Sequence, residues 1–195
     1  MKRGCPTLSS EKGLAILLLL REKPRRYTGL GDLHFITFSC YQRRPLLGTV
    51  RARSLFVKVL GEVRARHEFL LVGYVVMPEH VHLLMSEPRK LMPSRLLQVL
   101  KQRVSREMRG RRRGDSARQL RLKLPEPEGE LRRFWQRRFY DFNVWSHEKK
   151  KEKLEYKQAN PVKRKLVRHP QDGPWSSCSF YASGETGLIS MDVVD

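Results

Sequence analysis

Two histidines, His80 and His82, sit inside an apolar run, Leu70 to Met85, that otherwise breaks only at Gly73 and around Pro78-Glu79. Proline cannot donate to a sheet ladder, so Pro78 belongs in a turn between two paired strands. The run therefore predicts a buried strand over 69–77, a tight reversal, and a second strand over 80–85. The second strand begins His80-Val81-His82-Leu83. Strand side chains alternate, so both imidazoles share one face and Val81 and Leu83 take the other. Their Cα atoms fall roughly 6.6 Å apart, within reach of one metal ion. Each ring needs a partner if buried. For an isolated pair, two hydrogen-bonded core histidines are the commoner arrangement.

The flanking sequence supplies the rest of an α+β fold. Leu33 to Cys40 is β-prone and partly alternating. Residues 50 to 66 carry Leu55, Phe56, Val59, Leu60 and Val63 at helical spacing. Leu91 to Met108 repeats that pattern with Leu96, Leu97, Leu100 and Val104. Arginine and lysine then dominate to Lys123, which predicts a basic loop over 110–130. Phe134 to Trp145 reads as the last strand. Ser146 is a candidate N-cap for a helix from His147 to about Asn160, which Pro161 ends or follows with a further short one. The order strand, helix, strand, strand, helix, strand, helix predicts a ferredoxin-like antiparallel sheet with helices packed on one face. The expected domain spans 26–168, between an N-terminal extension (1–25) and a Pro-, Gly- and Ser-rich tail (169–195).

Among 195 residues, lysine and arginine outnumber the acids by enough to give a formal charge of +20. That excess points to a polyanion, and nucleic acid is the common one. A membrane partner is not expected: there is no basic amphipathic helix with an aromatic apolar face, and Leu14 to Leu20 is too short to span a bilayer. Arg21-Glu22-Lys23 follows that stretch directly, without a small-residue cleavage site. Cys5, Cys40 and Cys178 form no close pair, which implies neither a disulfide framework nor a zinc ribbon and fits a reducing, cytoplasmic setting.

On the last helix, Tyr156 and Asn160 are four apart and share one face. A tyrosine hydroxyl is a possible nucleophile, and an amide oxygen is an acceptable ligand for a hard cation. On spacing alone, Tyr156 is more simply a packing residue and Asn160 a helix-ending one. Gln158 is an alternative ligand and Tyr140 an alternative nucleophile, although Tyr140 sits among aromatics and is expected in the core. Phe134, Trp135 and Phe139 could stack bases but are expected mostly to be core. His34, His67, His147 and His169 show no partner pattern and are read as ordinary. Arg103, Arg106, Arg109, Arg111, Arg112 and Arg113 form a cluster suited to phosphate contacts.

Four strings in order turn these alternatives into one reading: Val75-Val76-Met77-Pro78-Glu79-His80-Val81-His82, Phe134-Trp135-Gln136-Arg137-Arg138-Phe139-Tyr140-Asp141, Asn160-Pro161-Val162-Lys163 and Pro174-Trp175-Ser176-Ser177. Together they resemble the single-tyrosine HUH transposases of the IS200-like superfamily, most closely the REP-associated tyrosine transposases. The resemblance spans roughly residues 24 to 181. It implies that Tyr156 attacks a DNA phosphodiester, leaving a 5′-phosphotyrosine link and a free 3′-hydroxyl, and that the reverse attack rejoins strands. It further implies Mg2+ or Mn2+ held by His80, His82 and Asn160. The implied partner is single-stranded or hairpin DNA, handled by a monomer or homodimer at the bacterial nucleoid. Two other classes remain to be separated from this one. A catalytically silent DNA-binding protein of the same fold would bind hairpins without forming an adduct. An RNA-binding ferredoxin-like module would prefer RNA and be indifferent to His80→Ala.

Overall fold

The computed structural model describes residue 29 and residues 31–116, 133–164, 166–169 and 172–194. Four strands, β1 (Leu33–Ser39), β2 (Leu71–Val76), β3 (His80–Ser86) and β4 (Tyr140–Val144), form one antiparallel sheet in the order β2-β3-β1-β4. Helix α1 (Val50–His67) connects β1 to β2, α2 (Pro93–Ser116) follows β3, α3 (His147–Lys163) follows β4, and α4 (Cys178–Ser183) lies in the C-terminal segment. This is the ferredoxin-like α+β arrangement that the order of elements predicts.

Alternation along the strands divides the sheet into two unlike faces. Ile36, Phe38, Val81, Leu83 and Met85 meet Leu55, Phe56, Leu60, Leu97 and Leu100 in the main core, so α1 and α2 pack on one face. Leu33, Phe35 and Leu84 point the other way and form a smaller cluster with Val144, against which Leu154 of α3 packs, so the helices do not all lie on the one face expected. His80 and His82 have the parity of Leu84, so they emerge on the α3 face. A bulge between Leu71 and Gly73 shifts the β2 register, and the residue without a side chain is where that irregularity falls.

Local signals account for the helix ends. Thr49 caps α1 by accepting a hydrogen bond from the Ala52 N–H at 3.1 Å. Ser146 caps α3 as expected, accepting from the Lys149 N–H at 3.2 Å. Helix α3 does not stop at Pro161 but continues to Lys163. A proline in the last turn removes only one backbone hydrogen bond, and the Arg164 N–H closes the end on the Asn160 carbonyl at 3.0 Å.

Three other boundaries differ from expectation. Helix α2 runs to Ser116, so the first part of the expected 110–130 loop is helical, and residues 117–132 lie outside the described residues, as do residues 1–25. Strand β4 starts at Tyr140, and Trp135 instead makes an isolated bridge to Cys40. The expected tail, over its described residues, belongs to the domain. Trp175, Phe180, Ile189 and Met191 all join the main core, and 175–177 covers the outer edge of β2. There the Val76 N–H donates to the Trp175 carbonyl, and the Ser177 N–H to the Tyr74 carbonyl, both at 2.9 Å. The Pro-, Gly- and Ser-rich composition hid this segment because its few apolar residues are scattered without periodicity and the rest of its contribution is backbone pairing on an edge strand. Among the described residues, no helix is long and apolar enough to cross a membrane, and Cys40 and Cys178 are buried.

Candidate functional site

The β1–β3 register sets Ser39 opposite His80 and Thr37 opposite His82. The two imidazoles turn their Nε2 atoms toward each other at 3.0 Å. Each Nδ1 is engaged elsewhere: His80 Nδ1 lies 3.2 Å from Glu79 Oε1, and His82 Nδ1 lies 2.7 Å from Thr37 Oγ1. The Asn160 side-chain amide reaches the same point, with Nδ2 placed 3.2 Å from His82 Nε2. Rotating that amide by half a turn brings Oδ1 there instead, and the two placements differ only in assignment. Tyr156, one turn earlier on α3, sets its ring 5.8 Å from that of His82 and 6.3 Å from that of Phe35, edge to face. It is 50% exposed.

The histidine–asparagine arrangement fits a divalent cation. Two ring nitrogens and an amide converge, and the opposite ring nitrogens are held by an oxygen each, which is the usual support for ligating histidines. The 3.0 Å spacing of the Nε2 atoms is close to that of two nitrogens about 2.1 Å from one ion at a right angle. Burial lowers the His80 pKa, with Arg164 and Arg43 adding to the effect and Glu79 opposing it. The neutral ring keeps a lone pair to offer. Among the described residues, no cluster of three His, Cys, Asp or Glu side chains offers a competing metal centre.

Several contributors were not singled out in the sequence. Thr37 and Glu79 hold the rings. Arg164 pairs with Glu79 at 2.9 Å, and it falls four residues after Asn160, so the spacing of Tyr156, Asn160 and Arg164 was legible as one helix face. Gln42 and Arg43 lie just after β1 with φ of 52° and 53°, in the left-handed region. Lys153, Thr37, Phe35 and Tyr140 line one cavity with His82 and Tyr156. Tyr140 is therefore not a core residue as expected but 44% exposed beside the candidate nucleophile. Phe134, Trp135 and Phe139 do pack against the main core. The side chain of Gln158 lies outside the described residues.

The arginine cluster sits apart from this site, on α2 across the sheet. Arg103 pairs with Glu62 of α1, and Arg106 and Arg109 are exposed. The side chains of Arg111, Arg112 and Arg113 lie outside the described ones. His34, read as ordinary, is fully buried on the α2 side of the sheet. Its Nδ1 lies 2.9 Å from Asp141 Oδ1 and its Nε2 3.3 Å from Glu87 Oε1. Both partners are far away in sequence, so no local pattern announced them.

A ferredoxin-like sheet thus carries a convergent His-His-Asn set, with a half-exposed tyrosine one helical turn away, in a chain of formal charge +20. Residues 30–156 match the family model described as "Transposase IS200 like". The chain belongs to the IS200-like transposase family. A comparison with curated protein sequences found no significant match. Among solved structures, a REP-associated tyrosine transposase bound to a REP hairpin is similar at 24% identity and a TM-score of 0.62, over 89% of this chain and 94% of that one. A protein of Deinococcus radiodurans R1 described as a candidate transposase is similar at 18% identity and a TM-score of 0.46, over 69% and 94% of the two chains.

Proposed function

We propose that this chain is a metal-dependent transposase that cleaves and rejoins single-stranded, REP-like hairpin DNA through Tyr156. The observation that carries this reading is the placement of the Tyr156 ring 5.8 Å from His82, whose Nε2 meets those of His80 and the amide of Asn160. These three side chains would hold Mg2+ or Mn2+, and two imidazoles suit manganese better than magnesium. A bound divalent ion supplies Lewis-acid polarisation of a phosphate oxygen.

The chain's own residues do the rest. The Tyr156 oxygen forms a bond to phosphorus as the bond from phosphorus to O3′ breaks. The phenol loses its proton and the departing 3′-oxygen gains one, leaving a 5′-phosphotyrosine and a 3′-hydroxyl. Attack by a 3′-hydroxyl on the phosphotyrosine reverses the step, so rejoining needs no external energy source. Thr37 and Glu79 fix the tautomers of His82 and His80. Exposed Arg106 and Arg109, with Arg103 and Arg111 to Arg113, are assigned to phosphates of the hairpin away from the cleaved bond, where they position without reading sequence. The overall charge of +20 and the hairpin bound by a protein of the same fold support that substrate class.

The test is a hairpin oligonucleotide labelled at its 3′ end and incubated with Mn2+. A covalent adduct stable to denaturing electrophoresis is expected from the native chain and absent after Tyr156→Phe or chelation. Steeply salt-dependent binding without adduct under any divalent ion would assign a silent DNA-binding protein instead.

A further inference from the structure

A row of aromatic rings on the α3 face has no part in the reaction proposed above. Strand β4 is an edge of the sheet. Its Tyr140 pairs with Thr37 and its Phe142 with Phe35, so both rings rise on the side of His82. The Tyr140 and Phe142 rings are 6.4 Å apart and within 8° of parallel, and Trp145 continues the row 5.2 Å beyond Phe142.

Packing does not explain the two ends of this row. The apolar residues of this face that serve the fold (Leu33, Phe35, Val72, Leu84 and Val144) are buried, whereas Tyr140 and Trp145 are 44% and 63% exposed. Large rings left in water at a sheet edge mark a surface that meets something. Two observations indicate what it meets. The row is continuous with the catalytic cavity, because Tyr140 lines it together with His82 and Tyr156. A cation is built into the row as well, since Lys153 Nζ lies 4.8 Å from the Phe142 ring centre and 5.8 Å from that of Phe35. Flat π-faces interleaved with an ammonium group, leading away from a site for a phosphodiester, match a strand of unpaired nucleotides.

We infer that Tyr140, Phe142 and Trp145 form a stacking track for the unpaired bases flanking the scissile phosphate of single-stranded DNA, with Lys153 serving the backbone between the track and Tyr156. This inference rests on the proposed reaction for its direction, but its test does not depend on chemistry. Stacking on π-faces tolerates any base, so the track holds the flank in place while other contacts select the hairpin.

The experiment uses the full chain carrying Tyr156→Phe, without added metal, and hairpin oligodeoxynucleotides with or without an unpaired flank that contains 2-aminopurine. Binding is expected to quench the 2-aminopurine fluorescence. Tyr140→Ala and Trp145→Ala should each weaken binding of the flanked hairpin by roughly tenfold, leave the flankless hairpin unchanged, and be restored by Tyr140→Phe and Trp145→Phe. The flankless hairpin also controls for folding. Equal losses on both hairpins, no loss on either, or an unquenched probe would overturn the track. An RNA flank bound as tightly, with the same dependence on the two rings, would overturn its assignment to DNA. Covalent adduct formation by the native chain is read separately. Adduct without stacking sinks the track alone, stacking without adduct sinks the reaction alone, and no hairpin binding sinks both.

Discussion

Thr37 and His82 face each other across the β1–β3 ladder and are joined side chain to side chain at 2.7 Å. With His82 Nε2 turned toward His80 and Asn160, the ring proton belongs on Nδ1, and Thr37 Oγ1 accepts it. One strand thus sets the tautomer of a histidine on its neighbour. Thr37→Val keeps the shape and removes the acceptor. Loss of such a supporting contact typically weakens metal binding by about 10- to 100-fold. A Mn2+ titration followed by electron paramagnetic resonance should show that loss, with the melting temperature as the control for folding. Unchanged Mn2+ affinity would separate Thr37 from the site.

His34 bridges β1, β4 and the end of β3, and its effect should be visible in stability. Burial opposes its charge, but the hydrogen bonds and charges of Asp141 and Glu87 outweigh burial and raise its pKa above the ordinary value of 6.5. A raised folded-state pKa means that the contribution is complete below about pH 6.5 and is lost as pH rises through the folded value. Urea unfolding between pH 6 and about 8 should therefore show the native chain losing stability relative to His34→Asn. The upper bound of that window avoids Lys101, whose buried ammonium has its pKa pushed down to about 8 and which adds the opposite slope above that pH. Removing one partner with Asp141→Ala should cost about 3–5 kcal/mol. A flat difference across the window would mean that His34 titrates alike in the folded and unfolded chain, and a relative gain of stability with rising pH that it stays neutral when folded.

The C-terminal segment is expected to be indispensable to the fold. Trp175 packs on the main core, its Nε1 donates to Ser54 Oγ at 3.1 Å, and the Arg53 guanidinium lies 3.9 Å over its ring. Trp175→Ala should cost about 3 kcal/mol or somewhat more, as large aromatic truncations do. Ending the chain after residue 172 should expose the β2 edge and give a self-associating product, measurable by light scattering. A monomeric, cooperatively melting truncation would refute this.

What could be seen in the sequence followed from sequence distance. The hairpin with its paired histidines is announced by alternation and Pro78 within a few residues, and the α3 start by Ser146. Asn160 and Tyr156 share a helix face by spacing, but their arrival at His82 is a tertiary event that only the family resemblance foretold. The partners of His34 lie 107 and 53 residues away, and no local periodicity encodes such a pairing. The exposure of Tyr140 escaped notice for a related reason: dense aromatics read as core, while the sheet order that leaves β4 at an edge is set by strands far apart in the chain.

Tyr74 offers a test of the core itself. Its ring is buried in the main core, and its hydroxyl has no hydrogen-bond partner among the described residues. Burial pushes its pKa up to about 12, so the group stays neutral at any working pH. A desolvated hydroxyl without a partner costs the fold about 1 kcal/mol or more, and Tyr74→Phe removes it while keeping the ring. The substitution should raise stability by about 1 kcal/mol, or 2–4 °C in melting temperature for a chain of this size. It should leave adduct formation unchanged, because Tyr74 faces the main core and the proposed reaction occurs on the opposite side of the sheet. A loss of stability would show instead that the hydroxyl is satisfied, and a loss of adduct alone would tie the core face of β2 to the site.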